Sequence, residues 1–229
     1  MPLDTITLQR PLTSYAKVQT WIGHLIRNRA FQLRRPRVLA SHYLDVGCGP
    51  NTHENFINLD YLWHPQVDVC WDVRRGLPFA TGSLRGIFSE HCLEHFQLSD
   101  GLALLRECRR VLMPAGVARI VVPDGELYLR TYVDQLAGET RRFPYQAEES
   151  RLPLWTPMAS VNRVFYQDRE SAYGHRIIYD FQLLQTALHE CGFAQVVRQG
   201  FGRGSDPHLL IDTPDRQVES LYVEAWGAR

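Results

Sequence analysis

The stretch that decides the fold is Tyr43–Pro50, with the sequence YLDVGCGP, read together with Asp60 shortly after it. Its first half is short and apolar, as in a buried strand, and it ends at Gly47 and Gly49, where the chain can turn tightly with no side chain blocking a ligand. A second apolar run over residues 56–59 places the Asp60 carboxylate at a strand end, where it can accept hydrogen bonds from ribose hydroxyls. The pattern therefore predicts a site for a nucleoside-containing cofactor.

Two such cofactors compete, a nicotinamide dinucleotide and S-adenosylmethionine. A dinucleotide needs its pyrophosphate at a helix N-terminus behind a Gly-x-Gly-x-x-Gly turn. Here Pro50 removes an amide donor after the second glycine, and Thr52 stands where the third glycine would be. Asp45 would repel a pyrophosphate but attract the ammonium and sulfonium groups of S-adenosylmethionine. The residues therefore favour S-adenosylmethionine.

On these residues the sequence resembles the class I S-adenosylmethionine-dependent methyltransferases. The resemblance rests on the glycine stretch, on Asp60, on Asp72 before LPF, and on LMPAG at 112–116. It covers residues 38–125 well and the C-terminal 50 residues moderately. It is strongest for small members with a short first crossover, with Asn-x-Asp soon after the glycines and Leu-Glu-His after the fourth strand. It implies an α/β fold, a Rossmann-like three-layer sandwich whose seven-stranded sheet is mostly parallel with an antiparallel last strand.

The resemblance also implies which residues bind the cofactor. It assigns Asp45 and the glycine turn to the methionine half, Asp60 to ribose, and Asp72 with Val73 to adenine, although a turn-capping role for Asp72 stays open. The expected cofactor-binding residues are Asp45, Gly47, Cys48, Gly49, Leu59, Asp60, Asp72, Val73 and Glu90.

Candidate catalytic residues come after the fourth and fifth predicted strands. Methyl transfer requires the protein to hold a nucleophile near attack distance, exclude water and, for a hydroxyl, remove a proton. His91 has a pKa suited to base catalysis, and Asp124 lies at the next strand end, so both are predicted to face the acceptor. For His91, a structural hydrogen-bonding role is the alternative.

A competing motif is HCLEH at residues 91–95, which fits the H-x-x-E-H pattern of a zinc peptidase through His91, Glu94 and His95. Such a site needs both histidines inside one helix and a third ligand from elsewhere. Here the pattern follows a strand directly and leaves about one helical turn before the next helix starts. We therefore expect no metal and keep zinc peptidase as a minor alternative. A cofactor-binding scaffold or pseudoenzyme that assists a partner is a second alternative.

Composition sets broad limits on the function. The 229 residues carry 25 basic and 25 acidic side chains, so charge favours neither a membrane surface nor nucleic acid as a partner. The five cysteines are scattered and odd in number, as in a reduced protein. No apolar run is long enough to span a membrane, and no signal-peptide core follows Met1. We expect a cytoplasmic enzyme acting on a small-molecule acceptor, with its oligomeric state open.

The chain reads as one methyltransferase domain, 1–229, with residues 124–178 as an inserted lid on the substrate side. That insert mixes aromatic residues and arginines, which predicts helical turns over the sheet edge rather than a plain connector. A helix is predicted over 14–34 with Thr13 or Ser14 as N-cap. Further helices are predicted from a cap at Ser99 or Asp100 to Leu112, and from Asp180 through Cys191. The fifth strand is predicted over 117–122.

Overall fold

A computed structural model describes residues 14–151, 154–166 and 174–228. Its strands are β1 (Tyr43–Val46), β2 (Ile57–Asp60), β3 (Val69–Cys70), β4 (Leu84–Glu90), β5 (Leu112–Pro123), β6 (Phe193–Gln199) and β7 (Ser220–Ala228). They form one sheet in the order β3-β2-β1-β4-β5-β7-β6. Neighbouring strands from β3 to β5 are parallel, whereas β7 runs antiparallel to both β5 and β6. The predicted mostly parallel, seven-stranded sheet with an antiparallel last strand is confirmed.

The α-helices in the described part of the chain are α1 (Ser14–Ile26), α2 (Pro36–Ala40), α3 (Leu98–Val111), α4 (Gly125–Leu136), α5 (Gln146–Glu149), α6 (Pro157–Tyr166) and α7 (Phe181–Glu190). The apolar faces of α3 and α7 pack on the sheet through buried leucines, among them Leu105 and Leu188. Burial of such side chains is the main favourable term in folding, at about 1.5–3 kcal/mol for each fully buried leucine. None of the helices described here combines the length and apolar character that crossing a bilayer requires.

The first crossover is short, as predicted. Residues 47–56, between β1 and β2, contain turns but no helix. The backbone N–H groups of Gly47 and Cys48 both donate to the carbonyl of Leu59, at 2.8 and 3.2 Å. These bonds hold the glycine turn directly against the end of β2, so that the two polar strand ends lie side by side.

The helix predicted over 14–34 is wrong in its second half. The helix ends at Ile26, and a separate 3₁₀ turn covers Ala30–Arg34. Between them Asn28 adopts a left-handed conformation with φ of 62°, its side-chain oxygen accepts from the N–H of Asp72 at 2.8 Å, and its own N–H donates to the carbonyl of Cys70. This polar attachment to the segment after β3 competes with helix continuation. Of the two predicted caps, Ser14 is the first helical residue and Thr13 lies outside the described residues.

Two further boundaries differ from the prediction. Helix α3 starts at Leu98 with Gln97 as N-cap, so Ser99 and Asp100 lie inside its first turn rather than at the cap. Strand β5 starts at Leu112 rather than at 117, because Leu112 already pairs with Leu84 across a register shift. The helix consequently ends one residue earlier than predicted.

The C-terminal half matches the prediction more closely. Asp180 caps α7 by accepting from the N–H of Leu183 at 2.7 Å, and Gly192, with φ of +94°, follows the helix end. Within 124–178, the predicted helical turns are α4, α5 and α6. They share a small apolar cluster that includes Tyr128 and Val161. A lid role for this insert stays a prediction.

A buried arginine attaches the loop between β6 and β7 to the sheet. The Arg119 side chain on β5 is fully buried and donates to both carboxylate oxygens of Asp212, at 2.7 and 2.6 Å. It also donates to the carbonyls of Gly200 and Arg203, and Glu224 lies 3.6 Å away. The guanidinium thus fixes the path of this loop together with the apolar packing of its Phe201, Leu209 and Ile211.

We predict that Arg119→Ala lowers the free energy of unfolding by about 3–5 kcal/mol, because it leaves two buried carboxylates without their cation. Denaturant unfolding followed by circular dichroism measures this change. The control is Arg130→Ala, which removes an exposed pair with Glu126 and should cost less than about 1 kcal/mol. Similar losses in the two variants would contradict the assigned role.

Candidate functional site

A cavity of about 900 Å³ opens at the carboxyl ends of β1 to β4. It brings together ten of the eleven residues predicted to form the site, drawn from four strand ends and the turns that follow them. Those ten are Asp45, Gly47, Cys48, Gly49, Leu59, Asp60, Asp72, Val73, Glu90 and His91. A second cavity, of about 710 Å³, lies between residues 142–148 and 214–218 and contains none of them.

The glycine turn forms one wall of the cavity. Gly47 and Gly49 have φ of +75° and +52°, a region that residues with a Cβ rarely adopt. A Cβ on Gly47 would also overlap the Cys92 side chain, whereas a Cβ on Gly49 would meet nothing. Glycine is therefore required at position 47 by the backbone conformation and by the lack of room for a Cβ. At position 49 it is required by the backbone conformation alone.

Asp60 is held in a fixed orientation at the end of β2. One carboxylate oxygen accepts from the N–H of Gly49 at 2.9 Å, and the other accepts from the N–H of Leu62 at 2.7 Å. Burial raises the pKa of this carboxyl, and the backbone hydrogen bonds act in the opposite direction. Each oxygen still has accepting capacity toward the cavity, so the group can accept hydrogen bonds from two adjacent hydroxyls.

Asp45 is the least satisfied group in the cavity wall. Its side chain is 2 % exposed, and the structure gives it no hydrogen-bond partner among the described residues. Burial first, and then the nearby Glu90 and Asp60, raise the pKa of Asp45 well above its usual value. A buried carboxylate among other acids is stabilised by a positively charged partner. The site is therefore suited to a ligand with a cationic group next to Asp45.

Asp72 lies at the cavity wall but already has partners. It caps the 3₁₀ turn Val73–Arg75 by accepting from the N–H of Arg74 at 3.2 Å, and it pairs with the Arg74 guanidinium, with one contact at 2.7 Å. The turn-capping role left open by the sequence is therefore present. Contact with an adenine ring stays a prediction for Asp72 and for Val73.

His91 occupies a strained position after β4. It is a non-glycine residue with φ of 49°, and strain of this kind is concentrated at functional sites. Its Nε2 lies 2.8 Å from the Ser220 hydroxyl, and its Nδ1 lies 3.8 Å from Glu94 and 4.0 Å from Glu219. Burial, assisted by the charge of Arg216, lowers the pKa of His91 well below its usual value. The sequence-based expectation that His91 has a pKa suited to base catalysis is therefore wrong, because the buried imidazole does not readily take up a proton.

Asp124 is the predicted site residue that does not line the cavity. It caps α4 by accepting from the N–H of Leu127 at 3.3 Å, and it accepts from the Arg198 guanidinium of β6 at 2.8 Å. These contacts give Asp124 a structural role in joining the insert to the far side of the sheet. The structure thus does not bring it together with His91.

The sequence analysis missed cavity residues that come from segments distant in sequence. Gly174 and Arg176 precede α7, and Thr213 and Arg216 come from the loop between β6 and β7. The N–H of Thr213 donates to Glu90 at 3.0 Å, which ties this loop to the end of β4. A charged residue within the apolar fifth strand, Arg119, was the available signal, because a buried arginine requires acidic partners from another segment.

The HCLEH pattern does not form a zinc-peptidase helix. Leu93–His95 is a single 3₁₀ turn, so His91 and His95 do not share a helical face. However, Glu94 and His95 meet His175, and one ligand atom from each lies within 4.8 Å of the others. Burial raises the pKa of Glu94 to about 8. The sequence-based expectation of no metal did not take His175 into account.

A known family model matches part of the chain. Residues 53–120 match the family model described as a methyltransferase domain. This match confirms the resemblance stated from the sequence and S-adenosylmethionine as the cofactor. No curated protein matches the chain.

Several solved structures are similar to this chain, all distant in sequence. YcgJ from Bacillus subtilis shares 15 % identity with a TM-score of 0.45, over 83 % of this chain and 93 % of that protein. An S-adenosylmethionine-dependent methyltransferase from Archaeoglobus fulgidus shares 15 % identity with a TM-score of 0.47, over 93 % and 99 %. An S-adenosylmethionine-dependent methyltransferase from Thermotoga maritima shares 13 % identity with a TM-score of 0.46, over 91 % of this chain and 94 % of that protein. Similarity at this level says nothing about the acceptor.

We predict that Asp45→Asn weakens binding of S-adenosylhomocysteine while stabilising the free protein at neutral pH. A carboxyl whose pKa is raised in the folded state binds its proton more tightly there than in the unfolded chain. Its contribution to stability therefore falls as pH rises from the usual carboxyl range through the raised pKa. Binding of a cationic group needs the ionised form, so wild-type affinity should rise over that same range.

Calorimetry across pH measures the affinity for S-adenosylhomocysteine, and thermal unfolding across pH measures the stability. The control is Asp134→Asn, which alters a partly exposed pair with Arg141 on the insert and should change neither quantity appreciably. A destabilised Asp45→Asn protein with unchanged affinity would show that Asp45 is structural.

Proposed function

We propose that this class I S-adenosylmethionine-dependent methyltransferase transfers the methyl group to an oxygen or nitrogen atom of a small-molecule acceptor, inside the cavity at the carboxyl ends of β1 to β4. The observation that carries the proposal is the pairing of Asp45 and Asp60 around one glycine turn. Asp45 lacks a cation and Asp60 is oriented to accept from a diol. A ligand that carries an ammonium group and a ribose satisfies both.

The residues present fit the cofactor. We assign Asp45 to the amino group, Asp60 to the ribose hydroxyls, and the turn containing Gly47 and Gly49 to the methionine chain. The remaining predicted residues, Cys48, Leu59, Asp72, Val73 and Glu90, complete the wall around it. When bound, S-adenosylmethionine supplies an electrophilic methyl group on a sulfonium, a good leaving group.

The acceptor is assigned to the part of the cavity near His91. Arg176 and Arg216 line this part, so it suits an acceptor with an anionic or strongly polar group. The cavity volume lies in the range of roughly 300–1,000 Å³ that is typical of small-molecule sites, which favours a metabolite over a macromolecule. We keep the insert, residues 124–178, as the proposed lid, since Gly174 and Arg176 at its end reach the cavity wall.

His91 is the proposed acceptor-side residue. With Nε2 directed at the Ser220 hydroxyl, Nδ1 is the atom that would accept a hydrogen bond from the acceptor. The remaining work of the protein is to align the nucleophile with the methyl group and to exclude water.

We predict that calorimetry shows binding of S-adenosylhomocysteine and no binding of NAD. Asp60→Ala should weaken binding of S-adenosylhomocysteine by about 1.5–3 kcal/mol, since it removes the hydrogen bonds that the charged Asp60 carboxylate accepts. The affinity of Asp60→Asn should lie between those of the wild type and Asp60→Ala. The matched control is Glu139→Ala, at an exposed position outside the cavity. Tight NAD binding, or unchanged affinity in Asp60→Ala, would reject the cofactor assignment.

The acceptor class is tested by transfer of a labelled methyl group. Incubation with labelled S-adenosylmethionine and a cell extract separated into metabolites, protein and nucleic acid should place the label in the metabolite fraction. His91→Gln should lower the rate and leave cofactor affinity within about twofold, since a group used only in the transition state changes turnover rather than binding. Label in protein or nucleic acid would overturn the proposed acceptor class. A protein that binds cofactor but labels no fraction would favour the scaffold alternative.

A further inference from the structure

Three side chains with metal-binding atoms meet beside the cavity: Glu94, His95 and His175. Oε1 of Glu94 lies 3.8 Å from Nε2 of His175 and 4.0 Å from Nε2 of His95. These distances are too long for hydrogen bonds, which weaken beyond about 3.2 Å. They are close to the separation of ligands around a shared ion, because two atoms each about 2.0–2.1 Å from a tetrahedral metal lie about 3.3–3.4 Å apart. Glu94 would need to come about half an ångström closer to each imidazole to reach that spacing, and one ligand atom from each of the three residues lies within 4.8 Å of the others.

Glu94 is the strongest indication that a cation belongs here. Its side chain has no exposed surface, and neither carboxylate oxygen has a hydrogen-bond partner among the described residues. A buried ionised carboxylate without a partner costs several kcal/mol. Protonation would remove the charge but would leave a buried O–H and C=O still unpaired. A bound cation satisfies both oxygens.

The orientation of His175 is that of a metal ligand. Its Nδ1 bonds to the backbone carbonyl of Val164, and a carbonyl can only accept, so Nδ1 carries the proton. Its Nε2 therefore presents a lone pair, and this buried atom has no hydrogen-bond partner in the described part of the chain. Metal-bound histidines are typically held by such a hydrogen bond from the other ring nitrogen. His95 has a similar, longer contact, 3.5 Å from Nδ1 to the carbonyl of Gly174.

The backbone holds the two segments together independently of any ion. The N–H groups of Arg176 and Ile177 both donate to the backbone carbonyl of Glu94, at 2.7 and 3.2 Å. The rings of His95 and His175 are also in edge contact, with centroids 5.0 Å apart. The three ligands are thus brought together by the fold, which lowers the ordering cost of binding an ion.

Charged groups of both signs lie near Glu94. Among them Arg216 has the largest electrostatic effect on Glu94, and Glu219 and Glu90 act in the opposite direction. His91 contributes a further ring nitrogen 3.8 Å from Glu94.

We propose that Glu94, His95 and His175 bind a divalent transition-metal ion, with Zn²⁺ as the best match to the donor set. Two imidazoles and one carboxylate are ligands that zinc accepts, and three protein ligands leave one position for a small molecule or water. The sequence pointed to His91 as the partner of Glu94 and His95. The fold instead supplies His175 from the far end of the insert, which explains why the pattern alone lacked a third ligand.

The proposal is tested by metal titration of the full-length chain after treatment with a chelator. Calorimetry should show one Zn²⁺ per chain, and Zn²⁺ should raise the thermal midpoint. Titration with Co²⁺ should give the visible absorption bands of a low-symmetry, four- or five-coordinate site. X-ray absorption of the zinc form should report two imidazoles and at least one oxygen ligand.

Two variants and a control connect the ion to these residues. His175→Ala and Glu94→Gln should each weaken Zn²⁺ binding by more than about 100-fold, because even outer-shell partners of metal ligands are worth 10–100-fold. His208→Ala, at an exposed histidine far from this cluster, should bind as the wild type does. Circular dichroism checks that each variant is folded. If a variant does not fold, the Co²⁺ absorption spectrum of the wild type still tests the proposal.

Binding of S-adenosylhomocysteine is measured on the same samples and separates the two proposals. A folded protein that binds S-adenosylhomocysteine but neither Zn²⁺ nor Co²⁺ would overturn the metal site and leave the proposed methyl transfer intact. Stoichiometric Zn²⁺ retained in both His175→Ala and Glu94→Gln would also overturn it. Zn²⁺ bound by a protein that fails to bind S-adenosylhomocysteine would support the metal site and count against the proposed methyl transfer.

Discussion

The cavity depends on one electrostatic constraint, the burial of several carboxylates at neighbouring strand ends. Parallel strands bring Asp45, Asp60 and Glu90 to the same edge of the sheet, where burial and the two neighbouring acids make Asp45 harder to ionise. Backbone N–H groups relieve this cost for Asp60 and Glu90. Asp45 has no such relief within the described residues, so the free protein carries a cost that a cationic ligand removes. We propose that the cationic group of the cofactor binds at Asp45 for this reason.

Irregular segments distant in sequence complete the site, and buried polar contacts hold them in place. Arg119 anchors the loop that delivers Thr213 and Arg216 to the cavity, through its bonds to Asp212. The carbonyl of Glu94 similarly anchors the two residues that follow His175. At both places, hydrogen bonds to a strand or to the turn that follows it position an irregular segment.

The sheet, the short first crossover and ten cavity residues could be predicted from the sequence, because each depends on local signals. Glycines at the end of an apolar run and an acid at the next strand end specify the turn between β1 and β2. Prediction from the sequence failed where long-range contacts decide the outcome. Asn28 ends the first helix through its bond to Asp72, Asp124 is drawn to Arg198, and His175 joins Glu94 from a distant segment. No local pattern in the chain encodes those three pairings.

The most direct test of the account is a crystal structure of the protein with S-adenosylhomocysteine. We predict that the ligand lies at the carboxyl ends of β1 and β2, with its amino group within hydrogen-bond distance of the Asp45 carboxylate and both ribose hydroxyls on Asp60. A ligand whose amino group lies elsewhere, with Asp45 still unpartnered, would contradict the claim that the buried carboxylate is the cofactor's anchor.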